Sequence, residues 1–410
     1  MALSEQTRDP FATLAPWVDH VKESATLAVS SQAAKMRAQG IDVISLNAGE
    51  PDFDTPEHVK QAAIDALHQG KTKYTVVDGM LDLRQAICDK LARDQKVQYQ
   101  PNEILVSTGA KQSLYNFFMA FLRPGDEVII PAPFWVSYPP QVELAGGKPV
   151  IVTATQAQDF KITPQQLEAA VTPRTRALVL NSPSNPTGSV YTLAELQAIA
   201  AVAERHRIVI ISDEIYEKLR FDGATSGPTP AAFSPQLRNL TVVVNGFSKA
   251  YAMTGWRIGY AAGPRAIIEA MSTLQSQSTS NCTTPTQFAA LAALRGGEEF
   301  LAPMVAEYKK RRDFVVSRLN SISGLSSNTP QGAFYVMANV TGLYGKKHDG
   351  NALATDHDVA SFFLNVAHVA TVPGEPFGAP GYLRLSFATS MEALEKSLSR
   401  VEEAIKTKLS

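Results

Sequence analysis

The pattern of apolar and polar positions along the chain alternates between two rhythms. Short apolar runs rich in β-branched residues predict strands at 103–107, 127–131, 149–152, 177–181, 208–212 and 241–245. Between them, apolar residues three and four positions apart predict amphipathic helices over 111–121, 193–206 and 266–276. Strands alternating with helices predict a largely parallel sheet covered on both faces. Ligands of such sheets sit at the carboxyl ends of the strands, so the residues just after each strand are where chemistry is expected. From Phe300 onward the rhythm changes to helical runs at 301–319, 359–367 and 391–406, with short strands at 334–337 and 383–386. A large central domain (58–295) and a smaller one built from both termini (1–57 and 296–410) follow from that change. Gly, Pro, Ser and charged residues predict loops at 222–235 and 342–356. No fixed-period repeat is visible.

Composition narrows the class. The chain has 410 residues, 45% hydrophobic and 19% charged, so it can bury a sizeable core and is not globally disordered. Lys+Arg at 38 against Asp+Glu at 39 leaves a net charge of −1, with no basic excess for nucleic acid or an anionic membrane. The two cysteines, Cys88 and Cys282, are far apart and form no CxxC pair, which argues against a disulfide framework or a Cys-based zinc site. The long uncharged stretch 270–294 is rich in Ser, Thr, Gln and Asn and does not suit a bilayer. Glu5, Arg8 and Asp9 stand where a signal peptide would be apolar. A soluble, cytoplasmic protein is expected. No P-loop, G-x-G-x-x-G, H-E-x-x-H or G-x-S-x-G motif occurs, and no two histidines stand at i,i+4.

Positive signals lie after the strands. Asn245-Gly246-Phe247-Ser248-Lys249-Ala250-Tyr251-Ala252-Met253-Thr254-Gly255-Trp256-Arg257 places a lysine beyond a buried strand, where desolvation lowers its pKa and frees the amine for Schiff-base chemistry. Ser248 and Arg257 offer a hydroxyl and a guanidinium fork, groups that hold phosphate. Asp213, at the end of the apolar run 208–212, either meets a cation such as a protonated pyridine nitrogen or caps the next helix. Tyr216 either donates to a phenolate or is a core aromatic. The loop Asn181-Ser182-Pro183-Ser184-Asn185-Pro186-Thr187-Gly188 is rigid, and its Asn185–Pro186 bond is a candidate cis peptide. Gly109 and Ala110 join a strand to a helix whose free N–H groups suit an anion. Arg384, inside a short apolar strand, requires either a ligand carboxylate or an internal Asp or Glu. Gly49 lets backbone approach a ligand closely.

In this order, these motifs resemble the class I aminotransferases of the aspartate aminotransferase superfamily, pyridoxal-phosphate (PLP) enzymes of fold type I. The resemblance runs from about residue 22 to the C-terminus, with bacterial members similar at Ala48-Gly49-Glu50-Pro51-Asp52-Phe53-Asp54-Thr55-Pro56. It implies an α/β fold: a large domain with a mostly parallel seven-stranded sheet and a smaller α+β domain. It implies that Lys249 carries PLP and moves the substrate proton, that Asp213 pairs with the ring nitrogen, and that Tyr216 and Asn185 bond the ring oxygen. Trp135 would stack on the ring, while Gly109, Ala110, Ser248 and Arg257 would hold the phosphate. Gly49, Asn185 and Arg384 would bind the substrate α-carboxylate. Tyr74 resembles a tyrosine that reaches the neighbouring active site of a homodimer. Where some members use a partner arginine for the distal carboxylate, this chain reads Leu274-Gln275-Ser276-Gln277-Ser278-Thr279-Ser280. Lys111, with Thr26 and Ser24 nearby, matches the lysine that does this in the bacterial subgroup. The implied reaction is aspartate plus 2-oxoglutarate to oxaloacetate plus glutamate, in two stages through pyridoxamine phosphate. Prephenate or aromatic transamination and a PLP-dependent lyase are the alternatives.

Overall fold

The computed structural model describes residues 25–410, so Ser24 and the start of the expected small domain (1–57) lie outside the described residues. At its centre is a seven-stranded sheet in the order Ile104–Ser107, Gly259–Ala262, Thr241–Gly246, Val209–Asp213, Thr175–Asn181, Glu127–Ala132, Lys148–Thr153. All pairings are parallel except those of Gly259–Ala262, which runs antiparallel to both neighbours. The six strands read from the pattern are present within one or two residues. Gly259–Ala262 was not read, because Gly-Tyr-Ala-Ala carries no β-branched residue.

Alternate residues of these strands go to opposite sides. Val128, Ile130, Val179, Ile211, Val242 and Val244 enter one core cluster, whereas Ile129, Leu178, Leu180 and Ile210 enter another. Both faces are therefore dry, which is why the strands read as unbroken apolar runs. Each such side chain contributes about 1.5–3 kcal/mol by burial.

Helices cover both faces with local signals that the sequence carries. Leu193–His206 begins where Thr192 accepts from Glu195 N and Glu195 accepts from Thr192 N, and it ends at Arg207 in the left-handed region. Ala110–Phe121 begins at Gly109, whose φ of +83° is open to glycine. Helices at Glu57–His68, Leu81–Gln95, Tyr138–Leu144, Pro164–Ala170 and Thr284–Arg295 were not among those read from the periodicity.

Beyond the central sheet, Ile44–Ser45 pairs in parallel with Val369–Ala370, bringing N-terminal chain onto the C-terminal segment. The strand Tyr335–Asn339 lies antiparallel to Tyr382–Ser386, and the helices Leu301–Ser321, Asp356–Asn365 and Met391–Lys408 pack around them. The expected loop 342–356 contains a two-residue hairpin, Lys347–His348 with Asn351–Ala352. Among the described residues, no helix is long and apolar enough to cross a membrane.

Candidate active site

Strand register brings the site together. Asn181 pairs with Asp213, Asp213 with Val244, and Gly246 and Ser107 both meet Gly259. The carboxyl ends of four strands thus share one edge of the sheet. A cavity of about 640 Å³ opens above it. It is lined by Gly49, Ala110, Lys111, Trp135, Asn185, Asp213, Tyr216, Ser248, Lys249, Arg257 and Arg384, residues read separately from the sequence.

At one end lies an anion cradle. The helix beginning at Ala110 presents its first N–H groups, which lack intrahelical acceptors. A Cβ at Gly109 would come within 2.8 Å of Arg257 Nη2, so the guanidinium sits over this helix start. Gly259 completes the packing, because a Cβ there would lie 2.4 Å from Ala110 N. Arg257 itself is held at φ 52° with Nη1 donating to Thr254 O at 2.9 Å, and Ser248 is buried beside it.

Asp213 stands at the opposite end, fully buried. Its Oδ2 accepts from Tyr138 Oη at 2.5 Å and its Oδ1 accepts from Ile215 N at 3.3 Å. The second contact is a local turn cap, but no helix follows; Asp213 is not the N-cap that its position also allowed. Burial pushes its pKa up to about 6, and the bond from Tyr138 offsets part of that rise. Such a carboxylate is suited to a cation delivered into the cavity.

Lys249 lies between these ends. Its Nζ donates to the carbonyl of Gly49, and desolvation, followed by repulsion from Arg384, lowers its pKa to about 8. Tyr216 shares a 2.9 Å hydrogen bond with Tyr335 Oη and packs edge-on against Phe334, so it is both a core aromatic and a cavity-facing hydroxyl. The Asn185–Pro186 bond is cis, as are Ala132–Pro133 and Ser182–Pro183.

Arg384 is only 2% exposed, yet its hydrogen-bond partners among the described residues include no carboxylate. Nη1 donates to Asn185 Oδ1 at 3.0 Å and Nη2 to Asn47 O at 2.9 Å, while Nε has no partner. The internal ion pair is therefore absent, and a buried cation stands ready for an anionic ligand. Lys111 is exposed, as a residue of a first helical turn can be, but its exposed side is the cavity. It lines the cavity with Nζ 5.0 Å from the Trp135 ring centroid, and burial, with repulsion from Arg257, lowers its pKa. Thr26 lines the same cavity. Tyr74 is not among the lining residues; it is 90% exposed.

Several site residues escaped the sequence reading. Asn181 accepts from Asn185 N and donates to Asp213 O, locking the two loops together. Tyr335 stands two residues from Met337, the residue registered with Arg384, so strand alternation places both on one face. Asn47 and Tyr138 carried no motif of their own.

Comparison with known proteins places this geometry. The family model described as aminotransferase class I and II matches residues 41–401. The aspartate/prephenate aminotransferase of Cereibacter sphaeroides is 51% identical over 393 residues, covering 95% of this chain and 98% of that protein. The aspartate aminotransferase of Bacillus sp. (strain YM-2) is 48% identical, covering 96% and 99%. Among solved structures, the aspartate aminotransferase from Rhizobium meliloti superposes with a TM-score of 0.93 at 46% identity, covering 97% of this chain and all of that one. The Thermus thermophilus aspartate aminotransferase with maleate gives 0.90 at 44%, covering 95% and 99%.

Proposed function

The chain belongs to the class I and II aminotransferases, and from that premise we propose that it transfers the amino group of aspartate to 2-oxoglutarate, giving oxaloacetate and glutamate. Enzymes of this family depend on PLP, and the residues of the cavity fit that group. A phosphate suits the helix start at Ala110 with Ser248 and Arg257, a pyridine nitrogen suits the buried Asp213, and a reactive carbonyl suits the Lys249 amine. When bound, PLP supplies a conjugated ring that withdraws electrons from the substrate α-carbon.

In this reading the chain's own residues do the rest. Asp213 would hold a proton on the ring nitrogen, Tyr216 and Asn185 would bond the ring oxygen, and Trp135 would cover one ring face. Arg384 binds the substrate α-carboxylate through its guanidinium, aided by Asn185 and the backbone at Gly49. Lys111 binds the distal carboxylate. Lys249, with its lowered pKa, takes the proton from the α-carbon and returns it to the neighbouring position. The observation that carries the proposal is one cavity lined by two cations for two carboxylates, Arg384 and Lys111, together with a low-pKa lysine.

Prephenate is a second acceptor in the same reading, because it too carries a carboxylate beyond the reacting centre and the Cereibacter relative is named for it. The homodimer, with Tyr74 reaching the partner's cavity, is part of the proposal, as is a cytoplasmic setting. So is the division into a large domain (58–295) and a small one from both ends; the pairing of Ile44–Ser45 with Val369–Ala370 supports it. The test is the visible absorption of the PLP-loaded protein. Aspartate alone should remove the PLP band and 2-oxoglutarate should restore it. A band that ignores aspartate but responds to an apolar amino acid would overturn the substrate assignment.

A further inference from the structure

Trp135-Val136-Ser137-Tyr138 leads from the strand Glu127–Ala132 into a short helix, and only its tryptophan was singled out by the sequence reading. Tyr138 is 1% exposed, its ring meets Trp135 edge-on at 5.3 Å, and its hydroxyl is 2.5 Å from Asp213 Oδ2. A phenol buried this deeply normally finds a partner. Here the partner is the carboxylate of Asp213, which lines the cavity and forms no ion pair among the described residues.

We propose that Tyr138 is a positioning residue, whose hydroxyl keeps the Asp213 carboxylate ionised and aimed at the site of the PLP ring nitrogen. The inference rests on the reading of this cavity as the PLP site. With Tyr138 donating to Oδ2 and Ile215 N donating to Oδ1, both oxygens accept, and each accepted bond is stronger to the ionised carboxylate than to the neutral acid, so the pair favours the charged form. The same two bonds fix the carboxylate plane. Asn181 Nδ2 holds the Asp213 carbonyl at 2.9 Å, so backbone and side chain are both anchored. The titratable groups facing Asp213 are Tyr138 from the helix, Lys249 from the loop after Thr241–Gly246, and Tyr216 from its own turn. Tyr138 cannot supply charge itself, since burial and Asp213 hold its pKa well above the usual tyrosine value. It remains a donor throughout the working range.

The experiment is Tyr138→Phe in the full chain, read by PLP dissociation constant and by its pH dependence. Loss of one hydrogen bond to a buried charge should weaken PLP about tenfold, and the pH below which binding fails should rise by about one unit. In an Asp213→Asn background the same change should alter affinity less than twofold, because a residue acting through Asp213 has nothing left to act on. Equal weakening in both backgrounds would overturn the proposal in favour of packing alone, and so would no weakening in the wild-type background. If the phenylalanine variant does not fold, fluorinated tyrosine at position 138, a stronger donor, should move the acid midpoint down; an unmoved midpoint would overturn the proposal. A wild-type protein that binds no PLP would instead overturn the reading of the cavity.

Discussion

Lys249 is useful only when its amine has shed a proton. With a pKa of about 8, about a tenth of it is neutral at pH 7, against a few parts in ten thousand for an unperturbed lysine. Capture of PLP by the cofactor-free protein should therefore speed up roughly tenfold from pH 7 and level off above about pH 8. A rate that keeps climbing to pH 10 in stopped-flow absorbance would mean that the lysine is not desolvated. The two carboxylate sites separate by a different measurement. Replacing Lys111 with Ala should raise KM for aspartate on the order of a hundredfold and leave KM for an apolar amino acid within about twofold, since only one substrate has a second carboxylate. Arg384→Lys should raise KM for both alike, because both carry the α-carboxylate and a lysine cannot reproduce the fork. Equal effects of Lys111→Ala on both substrates would reassign that lysine.

Behind the strand Val209–Asp213, the helix Leu81–Gln95 is joined to the turn at 214–218 by buried ionic and polar contacts. Lys90 meets Glu217, Lys218 meets Asp94 at 2.7 Å, and Gln95 donates to Glu214 Oε2 at 2.5 Å. Burial first, and then the nearby Glu217, pushes the pKa of Glu214 up to about 7. The folded-state value exceeds the unfolded one, so the contribution of Glu214 to stability is complete below about pH 4.5 and is lost as pH rises through about 7. Glu214→Gln removes that loss. It should stabilise the cofactor-free protein by up to about 3 kcal/mol at pH 8 and by almost nothing at pH 4, as read by urea unfolding. A gain independent of pH would show that the carboxyl does not titrate there. The sequence could show Asp213 and Glu214 as two acids after an apolar strand, and alternation assigns them to opposite faces. It could not show that Leu81–Gln95 backs one of those faces, since its polar partners Lys90, Asp94 and Gln95 look like solvated helix residues. Six of the seven strands of the central sheet and the glycine, lysine and arginine motifs after them were legible, while Gly259–Ala262, Asn47, Tyr138 and Tyr335 were not. Their function arises from partners far away in the sequence or from a register that only the folded sheet sets.

At the scale of the whole molecule, Tyr74 is 90% exposed, and Val76 and Leu81 nearby are more than half exposed. These three large side chains are close in sequence and exposed, and the proposed homodimer would cover them. In the proposed homodimer, Tyr74 would complete the partner's phosphate cradle, which accords with its standing clear of its own cavity. The test turns on complementation between two defective chains. A Lys249→Ala chain cannot hold PLP covalently, and a Tyr74→Phe chain should bind it about tenfold more weakly through loss of one charge-assisted hydrogen bond. In a mixed dimer, the intact Lys249 of one chain would meet the intact Tyr74 of the other, and the second site would combine both defects. Differently tagged subunits, co-purified, should therefore show half of their sites with wild-type PLP affinity and turnover. If Tyr74 served its own subunit, the only site with Lys249 would lack the tyrosine hydroxyl, and affinity would stay at the level of the Tyr74→Phe homodimer. Sedimentation of the wild-type chain as a monomer would remove the premise altogether, because then no second cavity lies within reach of the exposed hydroxyl.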